Sequence, residues 1–175
     1  MSGDSVIKSR ARELALAAIF AAMMAGGALV SIPFFPVPLS LQTFFVYLGV
    51  LLLRKSAWHS QAIYIAMGIA GLPVFSRGMA GYAVLLGPTG GFLAGFLIGS
   101  LISGLLISKV DRNLHSDLAA VALCMSVIFG MGWLWLAYWM QWNFAAAAWA
   151  GVIPFLPGDL LKIALAVAVS RRIRL

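Results

Sequence analysis

Asp159 and Lys162 stand three residues apart in the segment PGDLLK, inside an otherwise apolar stretch that runs to Ser170. Pro157 and Gly158 read as a helix start, which puts Asp159 in the first turn, where the positive end of the helix dipole favours a carboxylate. Lys162 at i+3 shares its face. On a protein surface such a pair contributes ~0–1 kcal/mol. Within a membrane segment an ionisable group costs several kcal/mol, so these groups face a cavity or one another. Two chemistries follow. The pair either fixes its own helix, or supplies an acceptor and a donor as the two poles of a site for a small polar ligand.

Two other stretches could complete such a site. GLPVFSRGMAGYAVLLGPTGG, from Gly71 to Gly91, holds a long connection, Leu72–Thr89, without clear secondary structure. Connections of that length are usually functional or disordered. This one is too apolar and aromatic for disorder. An ordered lid fits, with Phe75 and Tyr82 covering an apolar ligand body. Arg77 either neutralises an anion or solvates the loop. FPVPLSLQTFF, at 35–45, leads into a helix with Ser40 as its candidate N-cap. Gln42 and Thr43 in its first turn offer hydrogen bonds to a ligand or to neighbouring backbone.

The elements that position these residues follow from composition. The chain is 63% hydrophobic and only 10% charged. A soluble domain is roughly half apolar and a quarter charged, so this is an integral membrane protein. Its apolar runs are long and lack period-two alternation, which selects helices over a barrel. Six runs stand out, at about 14–32, 39–53, 57–71, 90–108, 118–139 and 157–170. They form one membrane domain over 1–175. Runs of ~15 residues make helices of ~22 Å, short for a hydrocarbon layer of ~30 Å. Irregular backbone beside them must be buried or line a cavity.

Ten of the twelve basic residues fall on one face if the six helices alternate: Lys8, Arg10, Arg12, Arg54, Lys55, Lys109, Arg112, Arg171, Arg172 and Arg174. The positive-inside rule makes that face and both termini cytoplasmic. Arg77, Lys162 and Asp159 then sit together at the outer end. A signal peptide over Lys8–Met24 would leave five helices and scatter the charges, so the first run counts as a span.

Other functions lose ground on the same residues. The net charge of +7 is spread between apolar runs rather than gathered as a nucleic-acid patch. GPTGG at 87–91 lacks the lysine of a P-loop. His59, His115 and the remaining acids lie at the cytoplasmic rim, so no metal set, cofactor site or catalytic carboxylate pair is expected. The single cysteine, Cys124, reads as a packed hydrophobe. Ala17, Ala21 and Ala25 repeat at four-residue spacing on the first run, beside Ala18, Ala22 and Gly26. This stripe suits close packing within the chain or against another subunit. Gly91, Gly95, Gly99 and Ser103 on the fourth run suit internal packing. Trp133, Trp135, Trp139, Trp142 and Trp149 suit an interfacial belt.

VPLSLQT (37–43), GLPVF (71–75), LLGPTGGF (85–92) and PGDLLK (157–162) occur in an order and spacing that resemble the BioY family of biotin transporters. These are the S components of energy-coupling-factor (ECF) transporters. Ser40 stands where the family often has threonine, and SRGMAGY (76–82) is a variable region. The resemblance implies an all-α, six-helix S-component fold in the cytoplasmic membrane of a prokaryote. It implies biotin as ligand near the outer face, under the loop after the third helix, and no enzyme activity. By motif match Asp159 and Lys162 are the polar anchors, and the expected binding set adds Gln42, Thr43, Phe75 and Thr89, with Arg77 and Tyr82 from the variable region, which carry over poorly from the family. Ala17, Ala21 and Ala25 would meet the transmembrane coupling subunit, with ABC-type ATPases on further chains and lipid around the bundle. Asp159 can accept from a ureido N–H of biotin. Lys162 can donate to its carbonyl or pair with its carboxylate. The residues alone leave open an S component for another vitamin, or a structural membrane protein.

Overall fold

The computed structural model describes residues 3–173, with side chains from residue 10 onward. The side chain of Lys8 and all of Arg174 lie outside the described residues. Six helices occupy the six apolar runs: α1 (Gly3–Leu29), α2 (Gln42–Leu53), α3 (Ala57–Ile69), then α5 (Gly90–Ile107), α6 (Leu114–Trp139) and α8 (Leu156–Arg172). Between them come a single turn, α4 (Ala83–Leu86), and a short helix, α7 (Phe144–Gly151). A small hairpin pairs β1 (Ser31–Ile32) antiparallel with β2 (Leu39–Ser40).

Several boundaries differ from the hydropathy reading for one reason. Apolarity marks the part of a helix that needs lipid or core, while helical hydrogen bonding continues into polar flanks. α1 thus starts well before Leu14, and ends at Leu29 because the chain turns into the hairpin. α6 starts at Leu114 because Asn113 caps it. The Asn113 carboxamide oxygen accepts from the Ser116 backbone N–H at 2.9 Å, and the Ser116 hydroxyl accepts from the Asn113 N–H at 3.1 Å. Ser40 does not cap α2. It lies in β2, the N-cap position is Leu41, and no side chain caps it. The Ser40 hydroxyl instead donates to Gln42 Oε1 at 3.0 Å.

α1 from Arg10, α5 and α6 are each long and apolar enough to cross a membrane. α7 and α8, bent by 48° at their break, together make a fourth such length. α2 and α3 have 12 and 13 residues, ~18–20 Å of helix. Each is extended by folded irregular backbone, the hairpin before α2 and the lid after α3.

The bundle closes through small residues. On α5, a Cβ at Gly95 would lie 2.8 Å from Ile128 Cα, and one at Gly99 would lie 3.1 Å from the Cys124 carbonyl. The glycine stripe therefore seats α5 directly on α6, with Cys124 buried in the seam. The α1 stripe is also internal, and this corrects the expected subunit contact. Ala17 and Ala21 are fully buried in this chain with Phe20, Met24 and Ala28, and Ala25 packs half-buried against the same core. The exposed neighbours are Ala18, Ala22 and Gly26, and a Cβ on Gly26 would meet nothing within 4 Å. Alanines at four-residue spacing make two adjacent stripes, and in lipid hydrophobicity does not say which faces inward. Packing against α2 and α3 does, burying Phe20 and Met24 with the Ala17 stripe.

The two ends of the bundle differ in chemistry. At one end the basic connections meet. Arg54 donates to the carbonyls of Ile107 and Val110, capping α5, and Arg112 donates to the Ser170 carbonyl near the end of α8. The Ser56 hydroxyl bonds Glu13 at 3.1 Å, and Arg171 pairs with Asp117 at 3.7 Å. At the other end lie the hairpin, the lid and the start of α8.

Candidate functional site

α8 carries Pro157 in its first turn, and the Asp159 N–H bonds the Phe155 carbonyl at 2.9 Å. From there the helical period sorts the side chains. Asp159, Ile163, Ala166, Val167 and Ser170 are buried, while Leu160, Leu161 and Leu165 are exposed. The two leucines of GDLLK thus face outward and the two charges inward. Asp159 is 1% exposed and Lys162 16%.

Lys162 spends all three ammonium protons inside the protein. It donates to Asp159 Oδ1 at 2.6 Å, to Thr43 Oγ1 at 2.9 Å and to the Ser40 carbonyl at 2.7 Å. Thr43 donates in turn to Asp159 Oδ1 at 2.9 Å, closing a ring of three residues. Tyr47 donates to the other oxygen, Oδ2, at 2.7 Å. Thr43 and Tyr47 are four apart on α2 and so share one face. Gln42 organises a second cluster. Its amide nitrogen donates to the Tyr64 hydroxyl, and its oxygen accepts from Ser40 and, at 3.1 Å, from Ser76. Tyr64 donates to the Val74 carbonyl at 3.0 Å.

Those last bonds hold the lid. Gly71 (φ 98°) and Gly81 (φ 87°) take the left-handed conformations that let the chain leave α3 and return over it. The Gly81 N–H bonds the Gly68 carbonyl at 2.7 Å. Gly68 is also the seat of Phe75, because any Cβ there would occupy the phenyl ring's place. Phe75 meets Tyr64 edge to face, with centroids 5.5 Å apart.

A cavity lies between this polar pole, the lid and an aromatic wall. Phe92 and Phe96 of α5, Phe129 of α6, and Phe155 form the wall. Phe129 meets both Phe92 and Phe155 at 6.4 Å between centroids. The cavity is lined by six of the eight expected residues, Asp159, Lys162, Gln42, Thr43, Phe75 and Thr89. Arg77 and Tyr82 are not among them. Arg77 is exposed and donates to the Phe34 carbonyl at 3.0 Å, tying the lid to the hairpin. Tyr82 is 71% exposed on the outer side of the lid. Both belong to a segment in which Arg77, Gly78 and Gly81 take left-handed conformations (φ 63°, 69° and 87°), so residue type alone does not give direction.

The sequence reading missed Tyr47, Tyr64, Ser76 and the four-phenylalanine wall. Tyr47 had a signal, being i+4 from Thr43. Phe92 and Phe96 had one too, at i,i+4 beside the glycine face that packs on α6. Phe129, Phe155 and Tyr64 come from distant parts of the chain and share no local pattern with the rest. Among the described residues no three His, Cys, Asp or Glu side chains gather as a metal set. The arrangement can hold a ligand with a small polar head, taken by an anionic acceptor and a cationic donor, and an apolar body.

A model of the BioY family matches residues 3–175. A probable biotin transporter BioY of Pyrococcus horikoshii is 40% identical over 166 residues, covering 94% of this chain and 98% of that one. The biotin transporter BioY of Thermotoga maritima is 37% identical over 164 residues, covering 93% and 96%. The crystal structure of the S-component for biotin from an ECF-type ABC transporter superposes with a TM-score of 0.84. It is 26% identical and covers 98% of this chain and 93% of that one. The chain belongs to the BioY family.

Proposed function

We propose that this chain captures biotin at the Asp159–Lys162 pole and takes it across the cytoplasmic membrane as the substrate-specific subunit of an ECF-type transporter. One observation carries the reading: a buried carboxylate and an ammonium, cross-linked through Thr43, face an aromatic cavity under a tethered lid. Relatives at 40% and 37% identity named as biotin transporters support it.

The geometry favours one orientation of the ligand. Asp159 and Lys162 touch at 2.6 Å, so they act on one end of it. A ligand carboxylate on Lys162 would crowd a second negative charge against Asp159. A ureido group suits both, its N–H donating to Asp159 and its carbonyl accepting from Lys162. The ring and tail then lie along the phenylalanine wall. Because every donor at the pole is already paired, binding exchanges internal hydrogen bonds for ligand ones and leaves no buried charge unmatched.

In the membrane the six apolar helices span, with the basic end and both termini cytoplasmic. A transmembrane coupling subunit meets the exposed small face of α1 at Ala18, Ala22 and Gly26, and ATPases on separate chains supply the energy. The test is calorimetric titration of purified protein with biotin, thiamin and riboflavin. Tight binding of biotin alone is the expected result. Preference for another vitamin, or no binding of any, overturns the assignment.

A further inference from the structure

The end of the bundle opposite the cavity carries a second groove. Its volume is about 480 Å³, and Arg12 of α1 meets Arg54 and Lys55 of the α2–α3 junction around it. Arg12 and Lys55 are exposed, and neither takes part in an ion pair among the described residues. Glu13, the one acid in the groove, is held instead by the Ser56 hydroxyl at 3.1 Å. Arg54 is anchored from one side by its bonds to the Ile107 and Val110 carbonyls, and a guanidinium keeps further N–H donors beyond these. The groove thus holds three cations against one carboxylate.

Its remaining walls decide the ligand class. Leu16, one turn along α1 from Arg12, and Leu52 and Leu53, at the end of α2, continue the groove away from its charged mouth. A soluble anion gains only from the mouth, whereas a molecule with an anionic head and hydrocarbon tails matches both parts. We propose that this groove binds the phosphate headgroup of an anionic phospholipid, whose acyl chains lie against Leu16, Leu52 and Leu53. The site rests on the membrane placement given under Proposed function, which sets these basic residues at the level of the inner-leaflet headgroups. Basic residues at that level attract anionic lipid.

Delipidated protein in neutral detergent is titrated with dioleoylphosphatidylglycerol, dioleoylphosphatidylcholine and glycerol 3-phosphate. Retained lipids are counted by native mass spectrometry, and biotin affinity is measured on the same samples. Wild type retains phosphatidylglycerol in preference to phosphatidylcholine. The double variant Arg12→Ala with Lys55→Ala loses that preference by about thirtyfold, the weight of two surface cations. Arg12→Lys with Lys55→Arg keeps it. No headgroup preference in wild type, equal retention by the alanine variant, or glycerol 3-phosphate displacing the lipid would overturn the site. So would unchanged lipid selection in an alanine variant that no longer co-purifies with a coupling subunit, since the groove would then be a protein contact. Biotin binding stays at the wild-type level in both variants. Its absence from wild type would count against the transport reading and leave the lipid result standing.

Discussion

Two buried aspartates face basic residues of α8, one at each end, and they are wired differently. Asp159 receives three donors, from Lys162, Thr43 and Tyr47, so both of its oxygens are bonded. Asp117 is equally buried, yet among the described residues neither of its oxygens has a hydrogen-bond partner, and Arg171 stands off at 3.7 Å with 48% of its side chain exposed. Asp117 lies in the first turn of α6, where the helix dipole favours its charge. Burial of a charge therefore does not by itself mark a binding site. The proposed binding pole is distinguished by convergence, since α2 and α8 both aim polar side chains at one point that opens onto a cavity. The Asp117–Arg171 pair links the first turn of α6 to the last turn of α8.

The widest separation between the two ends is expected from Asp159→Asn. It removes the anionic acceptor for a ligand N–H and leaves Lys162 without its counter-ion. A hydrogen bond to a charged group is worth about 1.5–3 kcal/mol, so biotin affinity should fall by roughly 10- to 100-fold. Asp117→Asn should leave biotin affinity unchanged. Calorimetric titration of both variants reads the contrast. If Asp117→Asn weakened biotin as much as Asp159→Asn, the division of labour between the two ends would be wrong.

The next effect is in stability, at the other end. Arg171→Ala leaves the Asp117 carboxylate buried with no partner, at a cost of about 1–3 kcal/mol. Adding Asp117→Asn removes the unmatched charge, so the double variant should recover most of the loss. Thermal unfolding in detergent measures this, with biotin affinity as the control that stays constant. Equal melting temperatures for the single and double variants would sink the clamp reading.

The polar end also has a kinetic side, which Gly68 exposes. A Cβ at this position collides with the Phe75 ring, so Gly68→Ala pushes the lid off α3. Overpacking of this kind costs about 1–3 kcal/mol, and the expected readout is biotin release faster by roughly tenfold. The association rate should change little. Stopped-flow exchange of labelled biotin separates the two rates, and an unchanged release rate would mean that the lid does not gate the site.

How far the sequence reaches differs between these regions for physical reasons. PGDLLK was legible because an ionisable residue inside an apolar run is costly, and helical spacing fixes which neighbours share its face. The long apolar helices were legible for the same reason, since a segment long and apolar enough to cross a membrane shows in hydropathy. The inward stripe of α1 was not. Ala17 and Ala18 are equally apolar, and only packing against α2 and α3 tells the buried one from the exposed one. α7 was hidden because Phe144–Gly151 lies in a connection rich in aromatics that resembles an interfacial loop. The phenylalanine wall was hidden because its members come from α5, α6 and the turn before α8, and no local pattern links them. Asp117 read as one more acid among the cytoplasmic charges, because its burial comes from α8 folding over it.

The smallest effect tests the lid from outside. Sequence reasoning offered Arg77 and Tyr82 to the ligand, whereas neither lines the cavity, and Phe75, Ser76 and Met79 of the lid do. Arg77 bonds the Phe34 carbonyl at 3.0 Å from an exposed position. Losing such a surface contact costs at most about 0.5 kcal/mol. Arg77→Ala with Tyr82→Ala should therefore bind biotin with wild-type affinity. Ser76→Ala, one residue away, should weaken binding measurably, because the Ser76 hydroxyl bonds Gln42 and holds the lid to the polar pole. A serine next to an arginine would then matter more than the arginine, because its bond runs inward to Gln42. Should the Arg77 and Tyr82 changes weaken biotin more than Ser76→Ala does, the lid must reorganise on binding and bring its outer face to the ligand.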